Sequence, residues 1–341
     1  MSKILITGAA GFIGSQLSYA LWRKGENVVL LDDFSYGHED NLIFETFDFR
    51  KVILRQNICE RTSLFKLCEE ERFDYIYHIA AITPLPDCQI NPGKAIEVNV
   101  AGTVNVLEAA RTFGCKKVLF ASTSAVYENC DKFPTAENDA VTPSLVYSGS
   151  KFAAEQFCKS YTEVYGMNVT VLRFANIYGP HIDCLRTQPP VTGYLIRELF
   201  YDRAPVLHSN GEQRRDFLFI DDLLELAIRA QEGKGFDCIN VSSNKTYSIN
   251  ELFTTVAKTM KKEHIKPEYA HLSNYWKNYP ELYRGEYPIL EKILDNEVNK
   301  FTLCDNTHAK NKYGCKPKIE LEDGIKKTVD FTINVLKNQT L

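Results

Sequence analysis

At 341 residues, with 44% hydrophobic and 25% charged side chains, the chain has an ordinary globular composition and the length of one large or two unequal domains around a substantial core. A net charge of −4 and a pI near 6.0 provide no broad basic surface, which argues against nucleic acid or anionic membrane as a partner. No stretch reaches transmembrane length, the N-terminal residues lack a secretory pattern and the ten cysteines form no C-x-x-C pair. Reduced thiols, a cytoplasmic setting and no metal site are therefore expected.

Short apolar runs rich in Val, Ile and Leu cover Lys3 to Thr7, Asn27 to Asp32, Lys51 to Gln56, Asp74 to Ala80, Lys116 to Ser122 and Asn168 to Phe174. Continuous rather than alternating hydrophobicity predicts strands buried on both faces, as in a parallel sheet. Segments with helical spacing lie between them, among them Phe12 to Lys24, Lys94 to Phe113 and Tyr147 to Tyr165. This alternation predicts an α/β fold, a Rossmann-type doubly wound parallel sheet over residues 1–180. After Gly179-Pro180 the alternation weakens, and a helix is expected at Gly193 to Tyr201. Residues 181–341 then form mainly a smaller mixed α/β lobe, with returns to the first lobe from about 215–245.

Gly8-Ala9-Ala10-Gly11-Phe12-Ile13-Gly14 follows the first strand and enters the first helix. Glycines allow the tight turn and the close approach of a pyrophosphate, whose charge meets the helix N-terminus. Asp32 lies at the end of the second strand, 18 residues after Gly14. A carboxylate there accepts hydrogen bonds from an adenosine ribose and repels a 2′-phosphate, so NAD is expected rather than NADP.

Further along, Tyr147 and Lys151 stand four residues apart and share one face of a helix. A phenol titrating near pH 10 is a poor base at neutral pH, and a neighbouring cation is expected to favour its phenolate. Ser122, Thr123 and Ser124 end the fifth strand, where the carboxyl ends of a parallel sheet face the ligand crevice.

With these residues in hand, the chain resembles the extended short-chain dehydrogenase/reductase family, in its nucleotide-sugar epimerase and dehydratase branch. Further stretches carry the resemblance: His78 to Ala81, Asn99 to Thr103, Arg173 to Pro180 and Gly211 to Phe217. The resemblance implies that Tyr147 is the catalytic base, that Lys151 tunes it and that Thr123 fills the Ser/Thr position. It assigns to NAD the residues Gly8, Gly11, Phe12, Ile13, Gly14, Asp32, Asp33, Ser35, Asn57, Ile58, Ala80, Ala81, Asn99, Ser122, Tyr147, Lys151 and Phe174. To the sugar nucleotide it assigns Thr83, Thr123, Ser124, Asn176, Leu207, Arg215 and Arg284, the two arginines suiting a diphosphate.

The implied reaction starts with oxidation at carbon 4 of a nucleotide-diphosphate sugar, UDP being the commonest carrier in the branch and GDP another. Dehydratases of the family carry an Asp/Glu pair after the strand-end Thr, where this chain has Ser124 and Ala125. Neither supplies an acid or base for elimination at neutral pH. 4-Epimerisation is therefore favoured over dehydratase or decarboxylase chemistry, with a 4-dehydrogenase or ketoreductase as the alternative and a non-catalytic NAD-binding module as a rival of another class. Glu128 departs from the Gly common in relatives and is expected to alter the adjoining loop. The two long amphipathic helices resemble the family's dimer helices, so a homodimer is expected.

Overall fold

A computed structural model describes residues 1–339. Its centre is a seven-stranded, all-parallel sheet of β1 (Lys3–Thr7), β2 (Asn27–Asp32), β3 (Leu54–Arg55), β4 (Tyr75–His78), β5 (Lys117–Thr123), β6 (Val169–Phe174) and β7 (Phe236–Val241). The spatial order is β7-β6-β5-β4-β1-β2-β3. The winding direction reverses between β1 and β4, and a crevice opens there at the carboxyl ends of the strands. All six residues of β6 and six of the seven in β5 are buried, as their unbroken apolar runs require. β7 comes from the second half of the chain and extends this sheet, pairing with β6 from Phe236 to Val241.

Two elements depart from their expected bounds. The third strand was expected over Lys51 to Gln56 and holds only Leu54–Arg55, because Phe49–Lys51 forms a 3₁₀ turn. That turn buries Phe49 among Trp22, Phe44 and Phe47, so aromatic packing shortens the edge strand. The Lys94 to Phe113 helix is interrupted by a π-helical turn at Glu97–Gly102, between Pro92–Ile96 and α2 (Thr103–Phe113). The wide turn carries the buried Asn99, and such turns often mark functional sites.

The second half adds three short strand pairs: Val206–His208 with Glu268–Ala270, Arg214–Arg215 with Tyr247–Ser248, and Phe217–Phe219 with Asn176–Tyr178. The expected helix at Gly193 to Tyr201 spans Val191–Phe200. It packs with the helices Ile249–Met260 and Leu321–Gln339 against the main hydrophobic core. Among the described residues no helix is long and apolar enough to cross a membrane, no His/Cys/Asp/Glu group could hold a metal ion, and all ten cysteines are unpaired.

Candidate active site

The turn between β1 and the helix α1 (Phe12–Arg23) is a cradle that side chains would fill. Gly8 has φ +72°, and a Cβ there would lie 2.6 Å from the backbone nitrogen of Ala80. At Gly14 a Cβ would lie 2.0 Å from the Gly8 carbonyl oxygen. Gly11 caps α1 with no side-chain bond, and the first turn holds no acid. The positive end of the helix dipole is thus left for an anion, as a pyrophosphate requires.

Asp32 closes the next wall. It is buried, and its two carboxylate oxygens accept from the backbone N–H groups of Ala10 and Phe34, each at 2.8 Å. Burial pushes its pKa up, and those two donors oppose the rise. Each oxygen keeps lone pairs for ribose hydroxyls. Asp33 accepts from the Ser35 hydroxyl at 2.7 Å and from the Asn57 amide at 2.8 Å. The neutral Asn57 therefore ties the third strand's exit to the acid pair, with Ile58 buried beside it.

All these groups line one cleft of about 570 Å³, which continues past Ala80, Ala81 and Thr83 to Ser122, Thr123, Tyr147, Lys151 and Phe174. Tyr147 and Lys151 lie one turn apart on α3 (Val146–Tyr165). Burial pushes the Tyr147 phenol up to about 12, while its hydrogen bond with Thr123 pulls the other way. The same burial lowers the Lys151 ammonium to about 8. Its Nζ lies 4.2 Å from the centre of the Phe120 ring. Within the protein, desolvation is the largest influence on both groups.

Supporting contacts fix these groups. Ser122 Oγ donates to Glu155 at 2.5 Å, and Glu155 pairs with Arg173 at 2.6 Å, all three being buried. Asn99 does not line the cleft; its amide bonds both backbone groups of Ile82 and the Ser150 hydroxyl, joining the cleft wall to α3. Glu128 accepts from Ser144 and Leu145 and so anchors the start of α3, two residues before Tyr147.

Five expected substrate residues lie outside the cleft lining: Ser124, Asn176, Leu207, Arg215 and Arg284. Asn176 donates to the Asp216 carbonyl, Leu207 is buried and Arg284 is exposed. Arg215 is buried and donates to the carbonyls of Glu297, Val298 and Lys300, at the end of the helix Glu291–Asn299. Residues that the sequence did not single out also line the cleft, notably Tyr36, His38 and Lys94. His181 and Arg186 line it too, from the loop that follows Gly179-Pro180.

A glycine cradle, a buried acid at the end of β2 and a buried Tyr/Lys pair in one crevice define an NAD-dependent enzyme of the short-chain type. Comparison sharpens this: residues 4–241 match the NAD dependent epimerase/dehydratase family. A UDP-glucose 4-epimerase of Mycolicibacterium smegmatis is 30% identical over 97% of this chain and 99% of its own length. A UDP-glucuronate 4-epimerase of Thermodesulfobacterium geofontis is 27% identical over 97% of this chain and 96% of its own. The crystal structure of UDP-glucose 4-epimerase with UDP-glucose from Thermotoga maritima superposes with a TM-score of 0.86 at 27% identity, covering 98% of this chain and 99% of that one. The chain belongs to the NAD dependent epimerase/dehydratase family, and NAD is its cofactor.

Proposed function

We propose that this enzyme interconverts the carbon-4 epimers of a UDP-sugar through a transient 4-ketose. The observation that carries the proposal is the convergence of Thr123, Tyr147 and Lys151 on the glycine cradle's own cleft, with Ser124 and Ala125 following Thr123. The sequence there supplies groups for redox chemistry at a carbinol and none for elimination.

Tyr147 takes the proton of the sugar's 4-hydroxyl while carbon 4 gives up its hydride, leaving a carbonyl. Thr123, bonded to the same phenol, holds the oxygen in line. Bound NAD supplies the hydride acceptor and a cationic ring whose charge favours the Tyr147 phenolate. Lys151 steadies that phenolate as its ammonium. After rotation of the ketose, the hydride that NAD would return reduces the opposite face, and Tyr147 gives the proton back to the oxygen on carbon 4.

The lobe over residues 181–341 is proposed to hold the nucleotide, with Asn176, Leu207, Arg215 and Arg284 on the substrate. Arg215 then exchanges the carbonyls of Glu297, Val298 and Lys300 for phosphate oxygens. The substrates named for the relatives support a UDP carrier. Exposed Phe157, Val164 and Tyr165 on α3 support a homodimer through that helix. Ten unpaired thiols suit the reducing cytoplasm.

The test is to incubate purified protein with UDP-glucose, UDP-glucuronate, UDP-N-acetylglucosamine and GDP-mannose and to follow carbon 4 by NMR. Inversion of one UDP-sugar without added NAD is expected. Accumulation of a free keto sugar with stoichiometric NADH contradicts the proposal.

A further inference from the structure

A hydrogen bond joins the segment after β2 to the short helix after β4, beside the cleft. Tyr36 lines the cleft, and its hydroxyl donates to Asp87 Oδ2 at 2.9 Å. Asp87 sits on the helix Leu85–Ile90. In the sheet β1 lies between β2 and β4, and the glycine cradle leaves the end of β1. The bond thus joins the two segments that flank the cradle, one after β2 and one after β4.

Both of these segments are anchored. On one side, His38 N–H and the Asn41 amide donate to the Ala10 carbonyl, at 3.0 and 2.9 Å. On the other, Leu85 packs against the cluster of Leu145, Trp276, Leu282 and Leu294, which belongs mostly to the second lobe. The bond thus links the cofactor cradle to the lobe proposed to hold the sugar nucleotide.

We infer that Tyr36 and Asp87 form a clasp that slows the release of NAD from its cradle. The inference deepens the epimerase proposal and rests on it for its purpose, since only an enzyme that returns its hydride gains from keeping the dinucleotide. The clasp adds nothing to the chemical step. It slows escape past the pyrophosphate cradle.

The test loads the protein with NADH, chases with excess NAD and follows loss of NADH fluorescence, in Tyr36→Phe, Asp87→Ala and the double variant. No sugar is present, so failure of the epimerase proposal and failure of the clasp are separate results. Removing one hydrogen bond of this kind is expected to speed release by about three- to tenfold. The double variant is expected to release no faster than either single one, because each breaks the same bond. Release at the wild-type rate in both single variants, or additive effects in the double, overturns the clasp. Thermal unfolding of each variant confirms that the surface substitutions leave the fold in place.

Discussion

Replacing Glu155 by alanine strands a guanidinium in the protein interior. Arg173 is 5% exposed and Glu155 2% exposed. Arg173 Nη1 donates to the Tyr127 hydroxyl at 2.6 Å and to the Glu137 carbonyl at 3.2 Å, and those bonds survive the change. Nε and Nη2 donate to Glu155 at 3.0 and 2.6 Å and lose their partner. Orphaned donors cost about 1–3 kcal/mol each, more when charged, which agrees with the roughly 3–5 kcal/mol measured when one half of a buried pair is removed. Glu155→Ala is therefore expected to lose about 3–5 kcal/mol of stability, read by urea denaturation of the NAD-free protein. The double variant Glu155→Leu/Arg173→Met removes both charges and is expected to lose less than Glu155→Ala alone. A Glu155→Ala loss below about 1 kcal/mol, within the range of surface pairs, would refute the reasoning.

Tyr147→Phe is expected to abolish turnover while NAD still binds, measured by dinucleotide titration beside the activity assay; comparable activity in the variant would remove Tyr147 from its role. At Gly14 an alanine has no room beside the Gly8 carbonyl, so Gly14→Ala is expected to give a destabilised protein that no longer retains NAD, seen in the absorbance ratio of the purified protein. Two buried histidines make stability acid-sensitive. Burial depresses His78 to about 3 and His181 to about 4, while the unfolded chain binds those protons near pH 6.5. Their contribution is present above pH 6.5 and is lost as pH falls toward the folded values. The loss is about 2 kcal/mol per histidine between pH 7.5 and 5, and denaturation midpoints that stay level over that range would contradict it.

The sheet was legible because strands buried on both faces write unbroken apolar runs, as in β1, β5 and β6. The cradle was legible because its glycines answer to steric limits that no other residue meets. Long-range pairing was not. Nothing local to Tyr36 announces Asp87, 51 positions on. His181, stacked between Phe44 and Phe331 at 4.8 and 4.3 Å, draws its surroundings from two distant parts of the chain. Arg215 illustrates the same limit: its residue type suits phosphate, but only the fold shows the helix end on which its donors close.

The most direct test of the epimerase proposal follows the hydride itself. A UDP-sugar that the protein inverts is prepared with deuterium at carbon 4 and incubated with the holoenzyme and excess unlabelled NAD, and its product is analysed by mass spectrometry and NMR. Deuterium retained at carbon 4 of the inverted sugar is the predicted result, since the same hydride leaves and returns within one site. Loss of the label to solvent, or its appearance in free NADH, would contradict epimerisation by recycled NAD.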